Sequence, residues 1–557
     1  MQTNRSFTGR LAYGTACVAL AAAAAVLTWL TGNRGIFLFD QSAVFDGAWR
    51  VIQGQAPYRD FVIPFGPLVY LIQALFFRLF GVNWAAMVLP ACVGGVLATL
   101  SAMRTTRLFL GGGARWLACC AGLATAVNFQ APSGSLTMDQ AALLFDLLAI
   151  QAVAESLRCA RRQRRLWQAA AGALLVLSLL SKQTFGVLFT PALLAILLAG
   201  ELPDLRAGCR AVIALGSGMA AAAGVALGFA WRYSFLREFL YRTVVVAGHI
   251  GGSRVSVGQI AAGLFMGPVP NVFQPDMIAV LAGAVCLFLA IPNYRGRLWR
   301  ELAPAAVCAF SLPLCRSFIQ SLTLNEWQNN LAFLGIGASV GVGLLLRLPK
   351  YVSVSPAAGQ DQFRVPTARA FRTVCVVVAA LWGVVSVGYI VQTSWTRVVQ
   401  EFRPGTVFRS QVAVRGLEGV LWGEPTVLGP DTGPNATLRR EDFEATVRYL
   451  QAKRRNFFVM GDSTLFYGLL GVPSPQPLLY YQSGHSFLAE DVPHLDQWIL
   501  SSLKRNDVGV VVGEKLTFDG DGMARYRQFP RVWGWFQAGF RHTADFGNYE
   551  IWERTGE

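Results

Sequence analysis

Acidic side chains stand where long apolar stretches of the sequence meet loops. Asp40 follows the first apolar stretch, and Asp139 opens a later one after a short Pro-Ser-Gly-Ser loop. A carboxylate in hydrocarbon costs about 2.5–3.5 kcal/mol on insertion scales, so acids at the ends of such stretches are candidate sites. Paired acids at the mouth of a cavity activate a hydroxyl or amine, or hold a divalent ion. We predict that Asp40 and Asp139 are catalytic; the alternative for Asp139 is a helix cap.

Three further acids belong to the same regions. Asp46 and Asp60 lie in the loop after the first apolar stretch, where each is either functional or a solvated charge, and Asp60 has Arg59 beside it as a partner. The interfacial segment 54–61 predicts that Asp60 and Tyr58 contact a substrate. Asp146 lies two helical turns after Asp139, and it either lines the cavity or pairs with a polar neighbour inside the bundle.

Two cations complement these acids. Lys182 falls at the outer end of the fifth predicted span, and Arg316 is near the outer end of the ninth. A phosphate group would satisfy both, because lysine binds phosphate as a point charge and an unpaired buried arginine is expensive. The alternative for Arg316 is a pair with Glu326 or a side chain that extends to the interface.

A polar cluster follows Arg316 in the sequence. Glu326 and Gln328 flank Trp327, and this combination predicts contacts with sugar hydroxyls, although Trp327 also fits an interfacial belt. His249 lies in a predicted outer loop before two glycines. A lone histidine of this kind is typical of a polar loop more than of a metal site.

A serine-hydrolase pattern also occurs near the C-terminus. Ser463 follows Gly-Asp after a predicted strand, and Asp491 and His494 have the Asp-x-x-His spacing of a catalytic triad. In that fold the two motifs lie farther apart, and the oxyanion segments between them are not evident here. We therefore reject an esterase.

Composition places the chain in a membrane. It has 557 residues, of which 54% are hydrophobic and 14% charged, with a formal net charge of +16. The basic residues form short clusters between apolar stretches, which indicates cytoplasmic loops and anionic membrane lipids as partners, and no nucleic acid. The ten cysteines lack metal-site spacing and are interpreted as apolar packing residues.

Apolar stretches predict a polytopic α-helical membrane protein with about eleven transmembrane helices. Their centres fall near residues 20, 95, 122, 147, 175, 193, 220, 283, 312, 340 and 382. The arginine clusters predict a cytoplasmic N-terminus, so residues 1–393 form a membrane domain with a first outer loop at 31–82. Residues 394–557 change composition and are predicted to form a soluble extracytoplasmic α/β domain.

The order of several short motifs resembles a known superfamily. These are Asp40, the segments 54–61 and 66–71, Asp139, and Leu180-Ser181-Lys182. Together they resemble the GT-C integral-membrane glycosyltransferases, and most of all glycosyltransferase family 39, with the protein O-mannosyltransferases and the lipid A aminoarabinose transferase among its relatives.

The resemblance implies transfer of a sugar from a polyprenyl-phosphate donor to a glycan, lipid or protein acceptor on the outer face of the bacterial inner membrane. It matches Asp40 to the catalytic acid of the first loop, Asp139 to the second outer-loop acid, and Lys182 to a residue near the carrier phosphate. Gln41 stands where many members have Glu, which weakens a metal site and leaves metal dependence open.

The alternative function is a transporter or flippase of a lipid-linked glycan. Opposed intramembrane charges and broken helices in two matching halves would favour it.

Overall fold

A computed structural model defines most of the chain. It describes residues 2–36, 38–63, 65–129, 134–202, 204–246, 297–323, 331–352, 368–395, 407–424, 426–427, 437–479, 481, 486–517 and 520–556, with residues 248, 283, 284 and 287 as isolated positions. The predicted site residues Glu326 and Gln328, and also His249, lie outside these ranges.

Helices dominate the chain up to Trp395. Their bounds are α1 (Gln2–Gly32), α2 (Asp40–Ile52), α3 (Leu68–Phe80), α4 (Trp84–Leu110), α5 (Arg115–Asn128), α6 (Met138–Ser156), α7 (Arg161–Leu179), α8 (Gln183–Glu201), α9 (Leu205–Arg232), α10 (Leu236–Leu240), α11 (Arg297–Thr323), α12 (Leu331–Val352) and α13 (Ala368–Trp395). A π-helix at Tyr241–Val246 continues α10.

Ten of the eleven predicted span centres fall inside these helices, and the centre near 283 falls where only isolated residues are described. Among the described residues, five helical segments are long and apolar enough to cross a membrane by themselves: Gly9–Gly32, Trp84–Leu110, Gln183–Glu201, Leu205–Arg232 and Cys375–Gln392. The multi-pass membrane prediction is confirmed. Helix α3 is a shorter apolar helix, as expected for a segment in the interface.

Several helices approach one another at glycines. A Cβ atom on Gly218 of α9 would stand 1.8 Å from the backbone oxygen of Ala169 in α7, and a Cβ on Gly172 would stand 2.0 Å from that of Leu215. Small residues allow this close backbone approach, which is how helices gain packing energy in a lipid environment. The tight contact between α7 and α9 fixes α7, whose C-terminal end leads directly to Lys182.

In the part of the chain that the structure describes, the strands all lie after α13. Helix α14 (Arg440–Lys453) precedes a four-stranded sheet, whose strands are β5 (Phe457–Met460), β6 (Val510–Glu514), β7 (Phe540–Phe546) and β8 (Tyr549–Arg554) in the spatial order β5-β6-β8-β7. Strands β5 and β6 are parallel, and β8 is antiparallel to both of its neighbours.

The remaining elements complete this α/β unit. They are α15 (Leu465–Leu470), α16 (Val492–Arg505), α17 (Gly522–Arg525) and α18 (Pro530–Gly539), with two-stranded ribbons of β1 (Val407–Gln411) with β2 (Leu421–Glu424) and β3 (Thr426–Val427) with β4 (Thr437–Leu438). All residues of β5 and β6 are buried because other elements cover both faces, which is typical of parallel strands.

A buried glutamate ends β6. Glu514 is 1% exposed and accepts a hydrogen bond of 2.7 Å from the backbone N–H of Ser463. Burial, together with the nearby charge of Asp462, raises the pKa of Glu514 from 4.5 to about 7. The folded state therefore holds this proton more tightly than the unfolded state, so the contribution of Glu514 to stability is fully present below pH 4.5 and is lost as the pH rises through about 7.

Replacing the Glu514 carboxylate with an amide should remove this loss of stability at higher pH. We predict that Glu514→Gln, which retains a carbonyl for Ser463, stabilises the protein above pH 7 by on the order of 3 kcal/mol and has little effect near pH 4.5. Thermal unfolding in detergent at several pH values measures this. Glu418→Gln is the matched control, because Glu418 is exposed and accepts a similar backbone bond from Gly416. Equal stabilisation at all pH values would contradict the assignment.

Candidate active site

An ion pair joins two of the predicted site residues. The Nζ atom of Lys182 lies 2.5 Å from Oδ1 of Asp139, and each side chain is only about a tenth exposed, at 12% and 11%. The sequence separates these residues by one complete helical hairpin. The structure therefore brings together the second predicted acid and the first predicted phosphate-binding cation.

The helix ends place both charges. Asp139 is the second residue of α6, and Thr137 occupies the capping position, so Asp139 is not the helix cap. Lys182 is the residue immediately before α8 and has extended backbone angles, which turns the chain from α7 into α8. The positive ends of two helix dipoles thus meet near the pair, and they favour an anion there.

Aromatic rings from two directions surround the lysine. Its Nζ lies 5.6 Å from the ring centroid of Phe65 and 5.8 Å from that of Phe185. Both distances are within the range of cation–π attraction, which stabilises the ammonium at low exposure. Phe65 belongs to the loop between α2 and α3, within the segment 31–82 predicted as the first outer loop, so this loop reaches the charged pair.

The loop contacts the α7–α8 junction through its backbone. The N–H of Leu68 donates to the backbone oxygen of Leu180 at 3.2 Å. A Cβ atom on Gly66 would stand 1.8 Å from the same oxygen, so no side chain fits at this position. Gly66 is therefore required by close packing, and this packing fixes the distance between Phe65 and Lys182.

Tyr58 and Asp60 maintain the shape of the same loop. Tyr58 has a φ of +66°, is 3% exposed, and donates its hydroxyl hydrogen to the backbone oxygen of Phe65 at 2.7 Å. Its ring packs against Phe235 and Phe239. Asp60 accepts from the backbone N–H of Ala56 at 2.7 Å and pairs with Arg59 at 2.6 Å. These contacts make both residues supports of the loop.

Asp40 approaches the same region from α2. It is the first residue of α2 and is partly exposed, and it interacts electrostatically with the Tyr70 hydroxyl group of α3. Tyr70 in turn lies near Tyr58, whose hydroxyl reaches Phe65. Electrostatic interactions of Tyr70 with Asp40 and with Tyr58, and the hydrogen bond from Tyr58 to Phe65, therefore link Asp40 to the loop that reaches Lys182.

Arg316 and Asp146 lie inside the helix bundle. Arg316 is 1% exposed, donates from Nη2 to the Tyr389 hydroxyl at 2.9 Å, and stacks over that ring. Asp146 is fully buried and lies beside Ser178 of α7 and Cys315 of α11.

The described residues do not gather a metal-binding set. No three His, Cys, Asp or Glu side chains in this part of the chain lie close enough to share an ion. Asp139 holds an ammonium group instead, and buried Gln41 follows Asp40. We therefore derive no step of the reaction through a divalent ion.

The serine-hydrolase pattern does not form a triad. The Ser463 hydroxyl is buried and lies 3.0 Å from that of Tyr549, whereas Asp491 pairs with Arg242 at 2.7 Å. His494 is exposed and packs near Trp498. The rejection of an esterase agrees with these three separate environments.

Sequence reasoning missed the partners of Asp46. This acid is fully buried and pairs with Arg50 one turn later, at 3.0 Å, and it also accepts from the Ser474 hydroxyl. The spacing of four residues on a helix was a signal for the first contact. Nothing local indicated the second, because 428 residues separate the two side chains.

The chain is similar to known proteins in part of its sequence and in its fold. Residues 64–233 match the family described as Dolichyl-phosphate-mannose-protein mannosyltransferase. The structure of ArnT from Cupriavidus metallidurans bound to undecaprenyl phosphate is 13% identical and covers 97% of this chain and 98% of its own, with a TM-score of 0.52. The apo structure of that ArnT is also 13% identical, covers 96% and 97%, and has a TM-score of 0.54. No curated protein sequence matches the chain.

These matches define the class of protein. The chain has the GT-C fold over nearly its whole length, and the predicted membrane domain with its C-terminal α/β region is confirmed at this level. The predicted resemblance agrees with this shared fold, and residues 64–233 match the mannosyltransferase family model.

The contact at Gly66 gives a direct test of the site. We predict that Gly66→Ala separates the loop from Leu180 and lowers transfer activity about 100-fold, since a displacement of roughly 1 Å has such an effect. Steady-state kinetics on purified protein would measure the loss. Gly216→Ala is the control, because no heavy atom lies within 4 Å of its added Cβ and activity should remain. Full activity in Gly66→Ala would contradict the packing argument.

Proposed function

We propose that the protein transfers a sugar from a polyprenyl-phosphate donor to an acceptor hydroxyl or amine at the outer face of a bacterial inner membrane. The observation that carries this is the Lys182–Asp139 pair, at the meeting of two helix N-termini and beside the first loop. Such a position suits a phosphate near the membrane surface. The binding of undecaprenyl phosphate by ArnT, which has the same fold, supports this donor class.

The chemistry needs one base and one group of cations. The acceptor oxygen or nitrogen attacks the anomeric carbon, its proton passes to the Asp40 carboxylate, and the bond between that carbon and the phosphate oxygen breaks. The bonding electrons leave with the polyprenyl phosphate, whose growing negative charge Lys182 stabilises. A phosphate is already a good leaving group, so no acid is required. Attack in line with the leaving group inverts the anomeric centre.

In this proposal Asp139 determines when the Lys182 ammonium group is available to the donor phosphate. While the donor is absent, the Asp139 carboxylate neutralises the Lys182 ammonium, which would otherwise be costly at such low exposure. A donor phosphate competes for the same ammonium group, and the released Asp139 then orients the acceptor. Arg316 is a second cation of the binding region, and Tyr58 and Asp60 act through the loop that they support. Glu326 and Gln328 remain proposed contacts to the sugar.

The packing of helix ends supports the proposed orientation. Asp139 lies at the first end of α6, whereas Glu155 near its other end pairs with Arg104 at 2.6 Å. The arginines around that second end are a cytoplasmic signal. We therefore propose a cytoplasmic N-terminus, with the site and residues 394–557 on the periplasmic side, attached to a membrane domain of residues 1–393.

The GT-C fold favours the transferase over a transporter or flippase of a lipid-linked glycan. The sugar and the acceptor are open within this proposal. Comparison of envelope lipids, glycans and proteins by mass spectrometry in strains with and without the gene would identify the modified molecule.

If Asp40 is the base, replacing its carboxylate with an amide should strongly reduce turnover. Asp40→Asn should lower the turnover number by about 10²- to 10⁴-fold and leave binding of undecaprenyl phosphate intact, because only proton transfer is removed. Transfer of radiolabelled sugar and lipid binding by native mass spectrometry measure the two effects. Asp204→Asn is the control, since Asn caps the α9 N-terminus as well as Asp. Retained turnover in Asp40→Asn would remove the proposed base.

The competition for Lys182 predicts opposite effects on lipid affinity. Lys182→Gln should weaken binding of undecaprenyl phosphate about tenfold, whereas Asp139→Asn should leave it equal or stronger because the ammonium is released. Both variants should lose turnover. Titration with undecaprenyl phosphate, and with the uncharged alcohol as a control ligand, measures this. Equal weakening in both variants would show that the pair only supports the fold.

A further inference from the structure

The C-terminal region holds the helix that begins at Asp40. Asp46 and Arg50 of α2 form an ion pair of 3.0 Å, with side chains 0% and 1% exposed. Arg50 also donates from Nη1 to the backbone oxygen of Gln476 at 2.6 Å, and the Ser474 hydroxyl donates to Asp46. Asp46 and Arg50 are thus both hydrogen-bonded to a segment that lies more than 400 residues later in the sequence.

The same segment makes further contacts on both sides of this pair. Trp49 donates from its indole nitrogen to the backbone oxygen of Val472 at 2.9 Å. On the loop side, the backbone N–H of Val62 donates to the oxygen of Pro477 at 2.7 Å. We call residues 472–478 the docking segment, because it contacts α2 and the first loop at once.

The first loop continues these contacts to the active site. The Arg50 guanidinium lies over the ring of Phe61 at 5.4 Å, and the chain then leads to Phe65 beside Lys182. In the other direction, Asp46 is six residues after Asp40, a distance of about 9 Å along a helix. The docking segment therefore contacts α2, which carries the proposed base, and the first loop, which reaches the proposed phosphate-binding lysine through Phe65.

A buried ion pair is weak evidence for stability but good evidence for geometry. Apolar side chains would fill the same volume at no greater cost, since taking two charges out of water offsets most of their attraction. The hydrogen bonds to Gln476 and Ser474 are directional, and apolar contacts are not. They fix the rotation of α2, for which a change of one residue in register would turn Asp40 by about 100°.

We propose that Asp46 and Arg50 are positioning residues for sugar transfer, and that the docking segment makes the C-terminal region a part of the transfer machinery. The proposal rests on the proposed function, because the element positioned is the helix of the proposed base. In this proposal the C-terminal region positions α2 for the transfer reaction, which a separate binding or hydrolytic domain would not do.

Two readouts test the proposal in the full-length protein. Hydrogen exchange of peptides from residues 40–52, measured by mass spectrometry, should become about tenfold faster in Ser474→Ala and more so in Arg50→Gln. The turnover number should decrease about tenfold or more in Ser474→Ala, with KM for the polyprenyl-phosphate donor unchanged, because the displaced group acts in the transition state and not in lipid binding. Arg50→Lys should recover part of the turnover lost in Arg50→Gln.

Arg525→Gln provides the matched control. It breaks another buried pair of the C-terminal region, Arg525 with Asp462 at 2.8 Å, which has side-chain exposures of 8% and 6%. This variant should lower the unfolding temperature without changing hydrogen exchange in 40–52 or the turnover of the folded protein. If Ser474→Ala and Arg525→Gln behave alike in both readouts, the docking segment contributes only ordinary stability and the proposal is overturned.

The outcomes separate this proposal from the proposed function. Unchanged exchange in 40–52 overturns the positioning role whatever the enzyme transfers. Faster exchange with unchanged turnover also overturns it, since α2 would then be held without consequence for the reaction. Should Asp40→Asn retain turnover, the base assignment fails, yet the effect of Ser474→Ala on turnover still decides whether the docking segment positions the site. Ser474→Ala keeps the Asp46–Arg50 pair, so it tests the contact without leaving a buried charge unpaired.

Discussion

The first outer loop is confined between two surfaces, and the geometry of the site depends on this confinement. On one side the backbone at Gly66 and Leu68 packs against Leu180, at the junction that presents Lys182. On the other side Arg50 and Val62 are bound by the docking segment. Backbone hydrogen bonds, close contacts and the burial of apolar side chains such as Phe61 together fix the position of this loop.

Charge pairing follows from the same location. An ion at the edge of a bilayer loses part of its hydration, and every charge there requires a partner of opposite sign or a strong dipole. The structure satisfies Lys182 with Asp139, and Arg50 with Asp46. The two pairs differ in access: the first is about a tenth exposed and can exchange its partner for a ligand, whereas the second is fully enclosed and can only hold its neighbours.

The sequence predicts the parts of this protein that depend on local pattern. Long apolar stretches identified the helices, because a span must be about 20 residues long and apolar in any context. The sparse charges near their ends identified Asp139 and Lys182, which the structure then brings together. Local pattern could not specify the loop, where Tyr58 and Asp60 have the residue types of binding groups but bond to the backbone of their own loop. Its shape depends on packing against Phe235 and Phe239, which are remote in sequence.

By itself the sequence determined the class of the protein, the positions of its helices and the short list of ionisable groups near their ends, since each follows from the high cost of polar groups in hydrocarbon. Only the tertiary structure decided the partner of each group. Asp46 and Asp139 are both acids in contact with a cation, yet one closes an interface with the C-terminal region and the other faces the proposed phosphate site. The two aspartates differ in role because they differ in burial and in the distant segments that pack against them. Neither property can be read from the few residues around an aspartate.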